Sequence, residues 1–202
     1  CRIELVEGPT FLAYPKDRAA YGLLCALLSR GKMQTLEGEW QGKDECQITL
    51  DMLAAHSAGL QLIALPGEDV AAFASTLPRL IAALPTMRHI AATYLYRGDD
   101  RARIGLLDMI ARANGLSILA TNDVHYAAPS CRPLQDVMTC IREKTTIGDA
   151  GYLLNANAER HLKTPEEMQR LFGEWPHAIA ATREVADACD FSLDELRYEY
   201  PE

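Results

Sequence analysis

Short apolar runs alternate with longer stretches of helical periodicity along most of the chain. Four apolar runs predict buried strands, at residues 11–14, 60–65, 88–96 and 117–121. The stretches between them predict helices, at residues 17–30, 49–56, 69–84 and 99–115. Continuous apolar strands separated by helices are typical of a parallel sheet covered by helices. The pattern therefore predicts an α/β fold, either a barrel or an open layer.

Glycine and proline mark several predicted boundaries. Gly31 is predicted to stop the first helix, and Pro78 is predicted to kink or break the third. Residues 32–47 are polar and predict a loop. After Pro129 the strands cease, and residues 134–142 and 176–188 predict helices. Residues 164–167, with Thr at the N-cap, Pro next and Glu at the third position, predict a further helix start, and residues 192–195 repeat this capping pattern. The last quarter of the chain is thus predicted to be helical, without a strand partner.

Composition and charge narrow the class of protein. The 202 residues are 49% hydrophobic and 24% charged, which is typical of a soluble globular domain. The net charge of −8, with no cluster of Lys and Arg along the sequence, argues against direct DNA binding by this segment. No run is long enough to span a bilayer, and none resembles a signal peptide. Because the chain starts at Cys1, inside an apparent strand, we expect it to be part of a longer protein.

The six cysteines predict a reducing compartment. None forms a Cys-x-x-Cys pair, and three of them lie in apolar helical patterns. A disulfide framework is not expected in a chain of this size without a signal peptide. We therefore expect free thiols and a cytoplasmic location.

The candidate chemistry lies where the 117–121 run ends. Asp123 and His125 follow that run two residues apart, so both side chains can point to one side. Carboxylate and imidazole both bind Zn²⁺ or Mn²⁺, and βα barrels build their sites at the carboxyl ends of strands. Asp-x-His also arises by chance, and Asn122 or Asp123 could instead cap the following turn. The spacing alone leaves metal ligation and capping both open.

The wider motifs carry a family resemblance. They are residues 120–126 (ATNDVHY), 134–137 (LQDV) and 159–168 (ERHLKTPEEM), with 11–15 (FLAYP), 20–25 (AYGLLC) and 59–65 (GLQLIAL) upstream. Together they resemble the PHP region of bacterial C-family DNA polymerase III α-type subunits. Residues 134–144 (LQDVMTCIREK), 156–163 (ANAERHLK) and 191–201 (FSLDELRYEYP) are similar to the error-prone members used in damage-induced, translesion synthesis. The strictly replicative subunit is the near alternative.

The resemblance implies a fold and a larger protein. The fold would be a PHP-type distorted β/α (TIM-like) barrel over residues 1–145, incomplete at its N-terminus. Residues 146–202 would form a mostly helical connector toward the polymerase thumb and palm. The whole protein would be a DNA-directed DNA polymerase in which Mg²⁺, DNA and dNTPs bind outside this segment. This segment would pack on the polymerase body, and a sliding clamp and mutasome proteins are candidate partners; no membrane is implied.

The resemblance also implies a degraded metal site. Asp123 and His125 match the PHP ligand pattern, but Pro66-Gly67 stands where metal-competent relatives often have Ser-Gly-Cys. We therefore expect this pair to hold Zn²⁺ or Mn²⁺ weakly, and we expect no catalytic residue within the segment. Two alternatives are a stand-alone metal-dependent PHP phosphoesterase, for which five histidines supply no cluster, and a non-catalytic interaction module.

Overall fold

The computed structural model describes residues 1–43 and 45–197. Five strands form one sheet: β1 Arg2–Glu4, β2 Thr10–Pro15, β3 Leu60–Leu65, β4 His89–Thr93 and β5 Ser117–Thr121. The helices are α1 Arg18–Met33, α2 Leu50–Ala55, α3 Val70–Ala83, α4 Asp100–Ala113, α5 Arg132–Glu143, α6 Pro165–Leu171 and α7 Pro176–Asp187. Single 3-10 turns occur at Pro129–Cys131, Gly151–Leu153 and Leu193–Glu195.

The sheet is mixed and open. Its strand order is β1-β2-β3-β4-β5, with β3, β4 and β5 parallel and with β2 antiparallel to both of its neighbours. The predicted α/β class is confirmed. The barrel is not confirmed, because in the described part of the chain β1 and β5 stand at opposite edges and do not pair. The expectation of a parallel sheet fits only β3–β5, which are joined by the helical crossovers α3 and α4.

Local signals in the sequence set the helix starts. The side chains of Asp17, Thr49, Asp69 and Thr164 each accept a hydrogen bond from a backbone N–H in the first turn of their helix. Pro78 lies inside α3, which continues past it to Ala83. The helical prediction for 69–84 is therefore confirmed, although the possible break at Pro78 is not found.

The core lies mainly on one face of the sheet. Alternate side chains of the strands, such as Leu62, Ile90 and Ile118, pack there against α1, α3 and α4 in one large hydrophobic cluster. The opposite face carries Ile63 and Leu119, among others. We call these the first and second faces.

Helix α7 joins the two faces. Its residue Ala178 belongs to the first-face cluster, whereas Ala181 and Val185 pack with Ile63 and Leu119 on the second face. The late helices were predicted to have no strand partner, and that prediction is wrong because α7 packs along β5. The functional division at residue 145 stays a prediction, but both parts share one core.

Gly31 has a different role from the predicted one. It does not end α1, which runs on to Met33. Instead, the segment after the loop crosses the helix there, and a Cβ on Gly31 would lie 2.7 Å from Ile48 Cγ1 and 3.1 Å from the Gln47 carbonyl oxygen. The absence of a side chain therefore permits close packing of two segments.

A pair of substitutions in α1 should have opposite effects. Gly31→Ala is expected to lower the free energy of unfolding by about 1–3 kcal/mol, because the added methyl group overpacks this contact. Gly22→Ala in the same helix meets no atom within 4 Å, so it should raise that free energy by about 0.5–1 kcal/mol through helix propensity alone. Urea denaturation of both variants measures this. Stabilisation by both would show that the Gln47–Ile48 segment does not press on α1.

Candidate functional site

The carboxyl end of β5 is tied to a segment far along the chain. Asn122 follows the strand and is 5% exposed. Its Nδ2 donates to the carbonyl oxygen of Glu159 at 2.8 Å and to that of His161 at 2.6 Å. One buried amide thus fixes the segment formed by residues 155–163, which we call the 155–163 segment, against the end of the sheet.

Further contacts hold the 155–163 segment in place without making it a helix or a strand. The backbone N–H of His125 donates to the Arg160 carbonyl at 2.8 Å, and Leu162 N–H donates to the Tyr126 carbonyl at 3.1 Å. Asn157 Nδ2 reaches the Leu95 carbonyl after β4 at 2.6 Å. These bonds span two strand ends, so the segment positions its side chains against both.

Asp123 and His125 line one cleft, as the two-residue spacing suggested. The cleft has a volume of about 790 Å³ and lies over the second face and the carboxyl ends of β3, β4 and β5. His125 Nε2 is 3.7 Å from Asp123 Oδ1, and the other carboxylate oxygen of Asp123 pairs with the Arg160 guanidinium. Asp123 has a φ of 42°, in the left-handed region, and the residue is held there by these neighbours.

The donors present fit a loosely held metal ion and not a tightly held one. Tight Zn²⁺ sites use at least three protein ligands. No group of three His, Cys, Asp or Glu side chains within the described residues is arranged to hold a metal. The Arg160 guanidinium already neutralises the Asp123 carboxylate, where a metal would have to bind. Pro66 and Gly67 line the same cleft and supply no side-chain ligand. Metal binding by Asp123 and His125 stays a prediction.

Four arginines also line this cleft, a feature that sequence reasoning missed. Arg2 comes from β1, Arg97 from the turn after β4, Arg103 from α4 and Arg160 from the 155–163 segment. The sequence contains no run of basic residues that would predict this group, because the fold brings the four arginines together from distant positions. Only the placement of Arg97 beyond a predicted strand could have suggested that one of them lies at this edge.

The arginines have different partners. Arg97 donates twice to the Glu68 carboxylate, at 2.9 and 2.7 Å. Arg103 donates to the backbone carbonyl oxygens of Glu68, at 2.8 Å, and of Gly67. The ion pair of Arg2 is with Glu4, at 3.1 Å, on its own strand. Glu68 and Asp123 are the carboxylates that line the cleft among the described residues.

Burial and the positive charges of the arginines together shift the pKa values of groups in and near the cleft. Burial lowers the pKa of His125 below its ordinary range, and the charges of Arg2 and Arg142 add to that effect. Burial also lowers the pKa of the Arg160 guanidinium, to which Arg97 and Arg2 contribute, while Glu68 acts in the opposite direction. His125 is therefore neutral at pH 7, and the cleft is electropositive.

The other histidines lie outside this cleft. His89 is buried at the amino end of β4, with its Nε2 3.8 Å from Glu184. His177 is 2.8 Å from Asp108, and His161 bonds the Ala158 carbonyl within the 155–163 segment. His56 bonds the carbonyl oxygen of Met52 at the end of α2. None of these four joins Asp123 and His125.

His89 should make folding sensitive to mild acid. Burial lowers the pKa of His89 from its ordinary 6.5, an effect that outweighs the opposing pull of Glu184. The folded chain therefore binds fewer protons than the unfolded chain as the pH falls below 6.5, so stability is lost in that window. We expect NMR titration to place the His89 midpoint below that of an unfolded peptide. A His89→Gln variant should lose less stability on acidification, and an equal loss would contradict the assignment.

The chain is similar along its whole length to one part of a class of bacterial DNA polymerases. These relatives are error-prone DNA polymerases: those of Bradyrhizobium diazoefficiens, Rhodopseudomonas palustris and Caulobacter vibrioides are 49%, 46% and 41% identical to it. Each alignment covers all of this chain but only 18% of the relative's length. The predicted resemblance to error-prone polymerases is confirmed.

Two further observations concern the family models and the possibility of a membrane span. No protein family model matches the chain. Among the described residues, no helix combines the length and the apolar character that crossing a bilayer requires.

Proposed function

We propose that this chain is a segment of an error-prone DNA-directed DNA polymerase that acts in replication and translesion repair synthesis. The observation that carries this proposal is the similarity of the whole of this chain to one part of error-prone polymerases. Within that protein, the segment would be a mainly structural PHP-type module in the cytoplasm. DNA, dNTPs and Mg²⁺ would bind elsewhere in the polymerase, and a sliding clamp and mutasome proteins are its proposed partners.

The chemistry of the segment supports a structural role. Two-metal nucleotidyl transfer needs closely placed carboxylates. In the cleft, Asp123 is paired with Arg160 and Glu68 with Arg97. Both cleft carboxylates are thus engaged by guanidinium groups, which fits nucleotidyl transfer at a site outside these residues.

One helix face supports packing on the rest of the polymerase. Helix α5 places four large apolar side chains at the spacing of a single face, and all four are exposed: Leu134, Val137, Met138 and Ile141. We call these four residues the α5 apolar face. Exposed apolar patches of this kind mark interaction surfaces. Since the relatives contain several times more chain than this segment, the proposed occupant is another part of the same polymerase.

Primer extension tests the assignment. The full-length polymerase should extend a primer past a template lesion with Mg²⁺ and dNTPs, whereas the 202-residue chain alone should not. Incorporation by the isolated chain would place nucleotidyl transfer here. Failure of the full-length protein to polymerise would overturn the proposal.

The α5 apolar face is tested by a matched pair of substitutions. Ile141 is 72% exposed on this face, and Met109 is 62% exposed on α4. In the isolated chain, Ile141→Asn and Met109→Asn should each change the free energy of unfolding by less than about 0.5 kcal/mol. In the full-length polymerase, only Ile141→Asn should lower the Tm and the rate of primer extension. Equal behaviour of the two variants would argue against docking through α5.

We also propose that Asp123 and His125 hold Zn²⁺ or Mn²⁺ only weakly. Two protein ligands, one of them paired with Arg160, should release the ion on mild dialysis. Elemental analysis of the dialysed chain is expected to give well below one metal ion per chain. A stoichiometric ion that disappears in His125→Ala would show that a third ligand exists.

A further inference from the structure

Helix α5 turns its large apolar side chains outward and a mostly polar side inward. Thr139 and Cys140 are the buried residues of this helix, whereas the four residues of the α5 apolar face are exposed. A surface helix ordinarily buries its apolar stripe against the core of its own domain. Within the described part of the chain, α5 therefore leaves uncovered the side that burial would favour.

Specific bonds on the inner side of α5 fix this orientation. Arg132, at the start of the helix, donates to the backbone carbonyl oxygen of Asn155 at 2.6 Å and lies 3.3 Å from the carboxylate of Asp136, one turn along. Just beyond the other end, the N–H of Thr145 donates back to a carbonyl oxygen of the last turn at 3.0 Å. Residues 145–155 thus return from the end of α5 to its start. The helix cannot turn its apolar side inward without breaking these contacts.

The spacing of the exposed residues suits a helical partner. The α5 apolar face has its four residues at positions i, i+3, i+4 and i+7, which form a ridge about two turns long. Because the backbone N–H and C=O groups inside a helix bond to one another, an extended strand has no free groups to pair with here. A ridge of this kind packs into the groove between the side-chain ridges of a second helix.

Positive charge borders the end of the α5 apolar face. Arg142 follows Ile141 directly, is 70% exposed at its side chain and donates to the Glu143 carboxylate at 2.9 Å. Lys144 comes next, is exposed and has no ion pair among the described residues. Two positive side chains and one negative side chain leave a net charge of +1 here, in a chain whose net charge is −8. An acidic side chain on the partner would complement Lys144 while the apolar side chains become buried.

We propose that the α5 apolar face receives an amphipathic helix from another part of the same polymerase, and that an acidic residue beside the apolar stripe of that helix pairs with Lys144. This inference rests on the proposed function. The chain spans only 18% of the length of the error-prone polymerases it matches. A helix from the remaining chain would be present at a high effective concentration, which favours it over a second molecule.

Photo-crosslinking of the full-length polymerase identifies what covers the α5 apolar face. A p-benzoylphenylalanine in place of Met138, which is 57% exposed on this face, should crosslink within one molecule to a segment outside the 202 residues. Mass spectrometry should place the crosslink on a segment with apolar residues at helical spacing and an Asp or Glu beside them. The same replacement of Met109, 62% exposed on α4, is the control. It should crosslink at least about fivefold less, since no docked segment raises the local concentration there.

Charge reversal tests the acidic contact. Lys144→Glu should lower the yield of the Met138 crosslink about threefold, the size expected for one exposed ion pair. Lys32→Glu is the matched control and should leave the yield unchanged, because Lys32 is an exposed lysine in the last turn of α1. Replacing the partner's acidic residue with Lys, in the Lys144→Glu protein, should restore the yield.

Primer extension by the same proteins separates this inference from the proposed function. In an active polymerase, a Met138 crosslink to a second molecule, to the 202 residues themselves or to a segment without that pattern overturns the inference and leaves the function intact. A crosslink no stronger than that of the Met109 control, or equal yields in Lys144→Glu and Lys32→Glu, also overturns the inference. A full-length protein that does not extend primers overturns the proposed function instead.

Discussion

Replacing Phe172 with alanine should lower the free energy of unfolding by about 3–5 kcal/mol. Phe172 ends α6, is fully buried and belongs to the large first-face cluster together with Trp175. Trp175 also lies against α4, 3.9 Å from where a Cβ on Gly105 would stand. Truncating the phenyl ring would leave a cavity between the late helices and the sheet, which the rigid surroundings fill only in part.

Urea denaturation of the isolated chain measures this loss, with Tyr152→Ala as the control. The Tyr152 side chain is fully exposed, so its removal should change the free energy by no more than about 0.5 kcal/mol. If Phe172→Ala lowered the free energy of unfolding as little as the control, residues 146–197 would be a connector that folding does not need. A large loss would show that they are needed for folding.

Asn122→Asp is expected to destabilise the chain by about 3–5 kcal/mol near neutral pH. The substitution keeps the size of the side chain but replaces a donor with a carboxylate that faces the carbonyl oxygens of Glu159 and His161. The buried carboxylate would be repelled by these carbonyl oxygens, and the nearby Lys163 ammonium is already paired with Glu159. The pKa of the new acid should therefore rise in the folded state. The loss should therefore shrink as the pH falls, since a protonated acid can donate one of the two hydrogen bonds.

Gln169→Glu adds the same charge at an exposed position on α6 and is the matched control. Its effect should stay within about 0.5 kcal/mol at every pH. Thermal unfolding of both variants at several pH values distinguishes them. A pH-independent loss in Asn122→Asp would mean that the carboxylate reaches solvent and that the 155–163 segment is held by other contacts.

Much of the fold follows from local signals in the sequence. Asp17, Thr49 and Thr164 stand where helices were predicted to begin, and each caps the helix that the structure has there. The 60–65 and 117–121 runs form strands with those bounds. The 88–96 run is shorter as a strand, His89–Thr93. Its end is set by Asp100, which accepts from the N–H groups of Leu95 and Arg97 and turns the chain into α4.

What could not be predicted depends on contacts between distant residues. The antiparallel pairing of β2 with β3, the packing of α7 along β5 and the contact at Gly31 have no local signature. The residues of the site also fall into those that local spacing predicts and those that only the fold brings together. Asp123 and His125 are two residues apart and were found from their spacing, whereas Arg2 and Arg160 meet only through the fold. The capping prediction for residues 192–195 is confirmed by the capping box at Ser192 and Glu195. The family-like run 191–201 extends beyond the described residues.

The left-handed backbone at Asp123 sets stability against function at one position. A residue with a side chain pays about 1 kcal/mol for a φ of 42°, which glycine would avoid. Glycine would also remove the carboxylate that faces Arg160 and His125. Laboratory evolution selecting only for thermal resistance should therefore favour Asp123→Gly, whereas selection that includes metal binding by Asp123 and His125 should retain the acid. The residue found at this position in an evolved population would reveal which pressure had acted.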